Sequence, residues 1–453
     1  MTTDLIIIGA GPGGYETAVQ AAKAGLKVTV VEAKAVGGTC LYEGCIPTKC
    51  LCHTAETLEQ VRNAAQYGIE TDGHISFDLS KAVARKNEVT SKLAEGILTL
   101  MQTPGITFIQ GLARFADTHT VRIRKEDGSE EEVTADRIII ATGSVTKYLP
   151  VEGAQCKGVV TSTEMLSLTT LPHRLCIIGG GVIGMEFASI FNAFGTEITV
   201  VEYCKEILPN FDRDIAKRLR TALKKKGITF KTGAAVTGIV PQADGYEVTF
   251  EEKGQTGHIV TDLVLMAVGR KANIDSLNLE EAGIEFSAHG IKVDENMQTN
   301  IPGIYAVGDI NGLCQLAHAA TFQGYRALNH ILGRKDSIRF DIVPAAVFTV
   351  PEVASVGTTE EALAEQGAAY TVHKAFYRTN GKALSMDAGE GLIKLLASPN
   401  GEILGAHILG HGADTLIHEV AVLMNRKGTL EELQNAIHAH PTLSELIRAA
   451  AEA

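Results

Sequence analysis

The glycine pattern G-x-G-x-x-G occurs twice in this chain, as Gly9-Ala10-Gly11-Pro12-Gly13-Gly14 and as Gly179-Gly180-Gly181-Val182-Ile183-Gly184. Each copy follows a short apolar run, Asp4 to Ile8 or Leu175 to Ile178, and opens a helical stretch whose next strand ends on an acid, Glu32 or Glu202. In such a strand–turn–helix unit the first glycine makes the turn, and the second lets the backbone approach a pyrophosphate at the helix N-terminus. The third lets helix and strand pack closely, and the acid binds a ribose hydroxyl pair. The copies keep one spacing: 179−9, 181−11, 184−14 and 202−32 all equal 170. The pattern predicts an α/β chain with two Rossmann-like nucleotide-binding domains.

At 453 residues the chain is too long for one ordinary core, and about three domains are expected. The formal charge of −12 repels phosphate backbones and no basic stripe is visible, which argues against a nucleic-acid partner. No apolar run reaches the roughly 18 residues of a membrane span. The strand at Leu5 follows Met1 too closely to leave room for a signal peptide, so a cytoplasmic or processed organellar location is expected. Eight cysteines are too few for a secreted disulfide scaffold, and fit a catalytic pair among other thiols in a reducing compartment.

Between the two nucleotide units lies Gly37 to Lys49, G-G-T-C-L-Y-E-G-C-I-P-T-K. Cys40 and Cys45 are five apart, so on an ideal helix their Cα atoms would be about 8 to 9 Å apart. A disulfide needs less than about 7 Å. Bridging them therefore requires a distorted turn, which Gly44 and Pro47 would permit or impose. Two buried thiols are the simpler reading of a bare C-x4-C. The whole stretch, however, resembles the redox-active site of the flavin-dependent pyridine nucleotide–disulfide oxidoreductases, and within them the dihydrolipoamide-oxidising branch.

That resemblance extends along essentially the full chain. It implies that the first half holds FAD, through Gly9, Gly11, Gly14, Glu32, Lys49, Ala113, Thr142, Gly143 and, after the strand ending Gly308-Asp309, through Asp309 and Gln315-Leu316-Ala317-His318. Lys49 would open a helix of roughly 49–65 beside the cysteines. The second half would hold NAD, through Gly179, Gly181, Val182, Gly184, Glu202, Val236 and Gly269, with Val182 screening the flavin face and Glu186 pairing with Lys49. Glu202 favours NAD because a carboxylate binds a free 2′-hydroxyl and repels a 2′-phosphate. Where the family commonly has a glutamate, this chain has Gln323.

From about Phe340 apolar strands alternate with amphipathic helices, an α+β pattern that the resemblance makes a C-terminal dimerisation domain. The expected division is 1–147 for FAD and the cysteine pair, 148–273 for NAD, 274–339 for a central segment completing the flavin site, and 340–453 for dimerisation. The chain closes on Ile437-His438-Ala439-His440-Pro441-Thr442-Leu443-Ser444-Glu445. In the family the histidine before this proline is the acid–base residue, contributed by the other subunit, and the glutamate holds its ring; here these are His440 and Glu445.

The activity implied is oxidation of protein-bound dihydrolipoamide by NAD, through a resting Cys40–Cys45 disulfide and FAD, in a homodimer. The partners would be lipoyl-bearing proteins of 2-oxo acid dehydrogenase or glycine cleavage complexes. Two rivals remain within the class. A glutathione-type reductase would prefer cations after the second strand, where Lys205 is the only one near Glu202, and a mercuric reductase would carry a C-terminal cysteine pair, whereas the last cysteine is Cys314. A non-catalytic flavoprotein would lack Cys40, Cys45 or His440.

Overall fold

The computed structural model describes residues 1–70 and 73–453. The chain packs as two compact units, 1–50 with 84–147 and 269–338, and 51–83 with 148–268 and 339–453. Each contains one of the glycine fingerprints.

In the first unit the strands Ile304–Ala306, Ile138–Ile140, Leu5–Ile8, Val28–Glu32 and Ile106–Gln110 form one parallel sheet in that order. Leu5–Ile8 is buried throughout because both faces of the sheet are covered, which is why it reads as a continuous apolar run. The helix Pro12–Lys23 starts directly after Gly11, with Pro12 at its first position, where its missing N–H costs nothing. A three-stranded antiparallel sheet, Leu112–Phe115, Thr120–Arg124 and Glu130–Thr134, packs into the same core.

The second unit repeats this plan. Thr229–Thr232, Glu197–Glu202, Arg174–Ile178, Leu263–Met266 and Val159–Val160 form a parallel sheet, and the antiparallel set Ala234–Gln242, Gly245–Glu252 and Gln255–Thr261 accompanies it. The repeat includes strand register. Leu5 pairs with Val28 and Ile7 with Val30; Leu175 pairs with Ile198 and Ile177 with Val200, each shifted by 170. The same unit contains the antiparallel sheet Ala345–Val347, Val353–Gly357, Ile403–Leu409, Leu392–Ala397 and Thr371–Phe376, an α+β arrangement as expected. The helices Ala413–Asn425 and Glu445–Ala451 bury Leu416, Ile417, Val420, Leu446 and Ile447 against it.

Candidate active site

A Cβ at Gly11 or Gly181 would meet no atom within 4 Å, so both turns leave the backbone open where a pyrophosphate would lie. A Cβ at Gly14 or Gly184 would collide with the carbonyl oxygen of Gly9 or Gly179. Helix and strand can therefore cross closely only with glycine there. The acids complete the match: Glu32 accepts from the amides of Ala10 at 2.7 Å and Lys34 at 2.8 Å. Glu202 accepts from Gly180 and, at 2.6 Å, from Cys204. Each carboxylate oxygen has a second lone pair for a ribose hydroxyl. The residues present thus fit two dinucleotides.

Cys40 lies in the short helix Gly38–Tyr42, and Cys45 is the first residue of the helix Cys45–Arg62. The break falls at Glu43, with φ −123° and ψ 3°, and Gly44. The predicted distortion is present, but Pro47 does not impose it. Pro47 is the third residue of the second helix, in the first turn, where its missing donor is an orphan anyway. That helix also starts four residues earlier than the sequence suggested, which puts Lys49 one turn along from Cys45 and on its face.

The two cysteines share a side-chain hydrogen bond. No disulfide joins them in this structure, where the resemblance implied one; both stand as thiols, the reduced form of the same couple. The Cys40 thiol holds its proton far more tightly than an ordinary cysteine, because of that hydrogen bond, then burial and the charge of Cys45, against the pull of Lys49. Cys45 stands at the positive end of an 18-residue helix, a place that favours a thiolate.

Asp309 follows the strand Ile304–Ala306 and accepts from Ser144 Oγ at 2.5 Å. Thr142 and Asn273 exchange hydrogen bonds, Thr142 Oγ1 donating to the Asn273 carbonyl at 3.1 Å and Asn273 Nδ2 to the Thr142 carbonyl at 3.2 Å. Gly143 and Gly269 take positive φ, and neither would place a Cβ against protein. Ala113 is buried in its antiparallel sheet opposite Ile123. Gln315 reaches the Arg270 carbonyl at 3.5 Å, Leu316 caps the helix Ala317–Ile331, and His318 lies in its first turn. Gln323, fully inside, accepts from the Gly308 amide at 2.7 Å and from Asn311 Nδ2 at 2.8 Å.

In the second unit Val182 opens the helix Val182–Phe194, and Glu186, buried one turn on, accepts from the Phe348 amide at 3.0 Å. Val236 sits at a bulge in the long strand Ala234–Gln242. His440 Nδ1 is 3.0 Å from Glu445 Oε1, and the other oxygen of Glu445 accepts from the Thr442 amide at 2.9 Å. The Thr442 amide, then His440, hold the Glu445 carboxyl below the usual range. Glu445 begins the helix whose apolar side is locked into the C-terminal sheet, so the carboxylate, and through it the ring, has a fixed orientation. The His440 side chain is 81% exposed.

The sequence did not single out Arg270. Its guanidinium is half-buried beside Ser144, Thr39 and Asp309, contacts that no local pattern announces.

A parallel sheet carrying a nucleotide cradle, duplicated, with a hydrogen-bonded dithiol at a helix start and a carboxylate-oriented histidine, defines a flavin-linked disulfide oxidoreductase. Residues 3–324 match the family described as pyridine nucleotide-disulphide oxidoreductase, and residues 343–451 match its dimerisation domain. The chain is 38% identical over 456 residues to the mitochondrial dihydrolipoyl dehydrogenase of Pisum sativum, covering 99% of this chain and 91% of that one. It is 39% identical over 453 residues to a dihydrolipoyl dehydrogenase of Bacillus subtilis, covering 99% and 96%. Among solved structures it resembles the HOCl-induced flavoprotein disulfide reductase RclA of Escherichia coli, with TM-score 0.88 and 31% identity, covering 100% of this chain and 99% of that one. The chain belongs to the pyridine nucleotide-disulphide oxidoreductase family and is an enzyme of that class, with FAD and NAD as its cofactors. The dimerisation-domain match supports a homodimer. Among the described residues no helix is long and apolar enough to cross a membrane, and no group of side chains could hold a metal ion.

Proposed function

We propose that this chain is a dihydrolipoamide dehydrogenase, oxidising protein-bound dihydrolipoamide with NAD. The observation that carries the reading is the hydrogen-bonded Cys40–Cys45 pair, set across the break between the helices Gly38–Tyr42 and Cys45–Arg62. FAD, when bound, takes two electrons from the dithiol and delivers them as hydride to NAD. Gly9, Gly11, Gly14, Glu32, Ala113, Thr142, Gly143, Asp309 and the start of the helix Ala317–Ile331 would hold FAD. Gly179, Gly181, Gly184, Glu202, Val236 and Gly269 would hold NAD, with Val182 and Glu186 on the helix that opens after the second fingerprint.

The catalytic cycle starts from the oxidised pair. His440 takes a proton from one substrate thiol, and Glu445, bonded to Nδ1, leaves Nε2 free to receive it. The substrate thiolate attacks Cys40 Sγ, the Cys40–Cys45 bond breaks, and Cys45 leaves as a thiolate. The second substrate thiolate then attacks the mixed disulfide and releases Cys40, which takes up a proton. Substrate dithiol has become disulfide, and the cysteine disulfide has become dithiol. Ile437, fully exposed, and His440 lie on one loop, which supports a partner subunit covering it and His440 serving the partner's cysteines.

The test is NAD reduction assayed with dihydrolipoamide, beside NADPH oxidation assayed with oxidised glutathione. Fast turnover in the first and little in the second is expected. Turnover of a different disulfide with none of dihydrolipoamide would assign the chain to another reductase of the family, as the RclA likeness allows.

A further inference from the structure

The half-buried guanidinium of Arg270 joins two parts of the flavin unit. Its Nε donates to Ser144 Oγ at 2.7 Å and one Nη donates to the Ser144 carbonyl at 2.7 Å. The same Nη lies 3.5 Å from Thr39 Oγ1, on the residue preceding Cys40. Ser144 Oγ in turn donates to Asp309. The backbone is fixed as well, since Arg270–Ala272 pairs antiparallel with Ser144–Thr146. A hydrogen-bonded line thus runs from the cysteine loop through Thr39, Arg270 and Ser144 to Asp309.

We propose that Arg270 is a positioning residue for the redox pair, holding the Cys40 loop to the Asp309 anchor while its fixed charge favours the thiolate of Cys45. The charge balance around the sulfurs gives the reason. Lys49 faces them from the helix of Cys45 and Arg270 from the strand beside Ser144. Glu43 stands in the connecting turn, Asp309 after the central strand, and Tyr15 on the first helix, neutral at ordinary pH because burial and Glu16 push its hydroxyl up to about 12. Glu43 is itself paired with Lys34 at 3.4 Å, which leaves Lys49 and Arg270 as the cations, and Asp309 as the carboxylate, that bear on the sulfurs. Removing Arg270 takes away one of those cations, and an opposite charge within a few ångströms typically moves such a group by about 1–3 pH units. Arginine suits the role because it stays charged when desolvated and its planar fork reaches Ser144 and Thr39 together.

This inference rests on the dithiol–flavin reading, and the test separates the two. Flavin-loaded enzyme is reduced with two electrons, and the long-wavelength thiolate-to-flavin charge-transfer absorbance is followed against pH in wild type, Arg270→Gln and Arg270→Lys. The midpoint for its appearance should rise by about one unit or more in Arg270→Gln and return most of the way in Arg270→Lys. A wild type without the band would refute the dithiol–flavin reading. A wild-type band with an unmoved Arg270→Gln midpoint, or an equal rise in Arg270→Lys, would overturn the role of the Arg270 charge alone. Should Arg270→Gln not retain flavin, Thr39→Val takes its place: it frees the guanidinium from the cysteine loop and leaves Ser144 and Asp309 paired. A raised midpoint there supports the proposal and an unmoved one overturns it.

Discussion

Glu202 repeats, 170 residues later, the two hydrogen bonds of Glu32: Ala10 and Lys34 donate to the first acid, Gly180 and Cys204 to the second. Both differences, 180−10 and 204−34, equal the sequence offset. The carboxylate is thus held by the glycine turn it serves, and its oxygens keep lone pairs for further donors.

Cofactor choice follows from that fixed charge. A 2′-phosphate would put like charges about 4 Å apart, costing about 4 kcal/mol at an effective dielectric of 20, so discrimination on the order of 100-fold or more is expected in kcat/KM for NAD over NADP. Glu202→Ala should narrow the ratio by about tenfold or more, and should raise KM for both nucleotides because the Gly180 and Cys204 amides lose their acceptor. A wild type that prefers NADP would contradict the ribose argument.

Glu352 offers a pH prediction with a definite sign. Burial, and then Asp414, push its carboxyl up to about 7, with the Asp414 amide the opposing influence and Glu56 a further acid facing it. An unfolded glutamate titrates near about 4.3. Between the two values the folded chain binds the extra proton, so this stabilising contribution is complete below the unfolded value and is lost as pH rises through the folded one. Glu352→Gln, which mimics the protonated form, should raise Tm relative to wild type at pH 8 and leave it nearly unchanged at pH 5. A Tm difference independent of pH would remove the basis for the assignment.

Lys394 is the clearest stability determinant outside the site. Its ammonium, 1% exposed, lies 2.7 Å from Asp212 Oδ2 and 2.5 Å from Glu360 Oε2. Burial alone would raise the Asp212 carboxyl, but His407 and Lys394 more than offset it and hold the group below its usual value. Lys394→Met leaves a buried carboxylate without its cation, a change that typically costs about 3–5 kcal/mol. Thermal and urea midpoints should fall accordingly. Adding Asp212→Asn should recover part of the loss, because the orphaned charge goes while Asn can still cap the helix Arg213–Lys225. Wild-type midpoints in Lys394→Met would show that the ion cluster contributes nothing net.

What the sequence made legible and what it hid have physical causes. The parallel strands Leu5–Ile8 and Arg174–Ile178 were readable because burial on both faces demands unbroken apolar runs, and the glycine turns because no other residue fits them. Local rules misplaced the start of the helix Cys45–Arg62, since Pro47 looks like a breaker but sits in the first turn. Arg270 and Lys394 were hidden for a different reason. Their partners Ser144 and Asp212 lie 126 and 182 residues away, and a charged residue on its own reads as surface.

His440 and the cysteines allow the sharpest test of how the site is assembled. His440 and Ile437 share one exposed loop of the C-terminal sheet domain, while Glu445 at the head of a buried helix fixes the ring. An oriented general base is of use only with a substrate thiol in reach, and a two-fold dimer in which each tail serves the other chain makes two equivalent sites. His440→Ala and Cys40→Ala homodimers should then each be nearly inactive. In an equal mixture after subunit exchange, half the dimers are mixed and each has one intact site of two, so activity should recover to about one quarter of wild type. If each site were built within one chain, neither subunit of a mixed dimer would have a complete set. Confirmed exchange without recovery, or a fully active monomer, would therefore rule out the composite site.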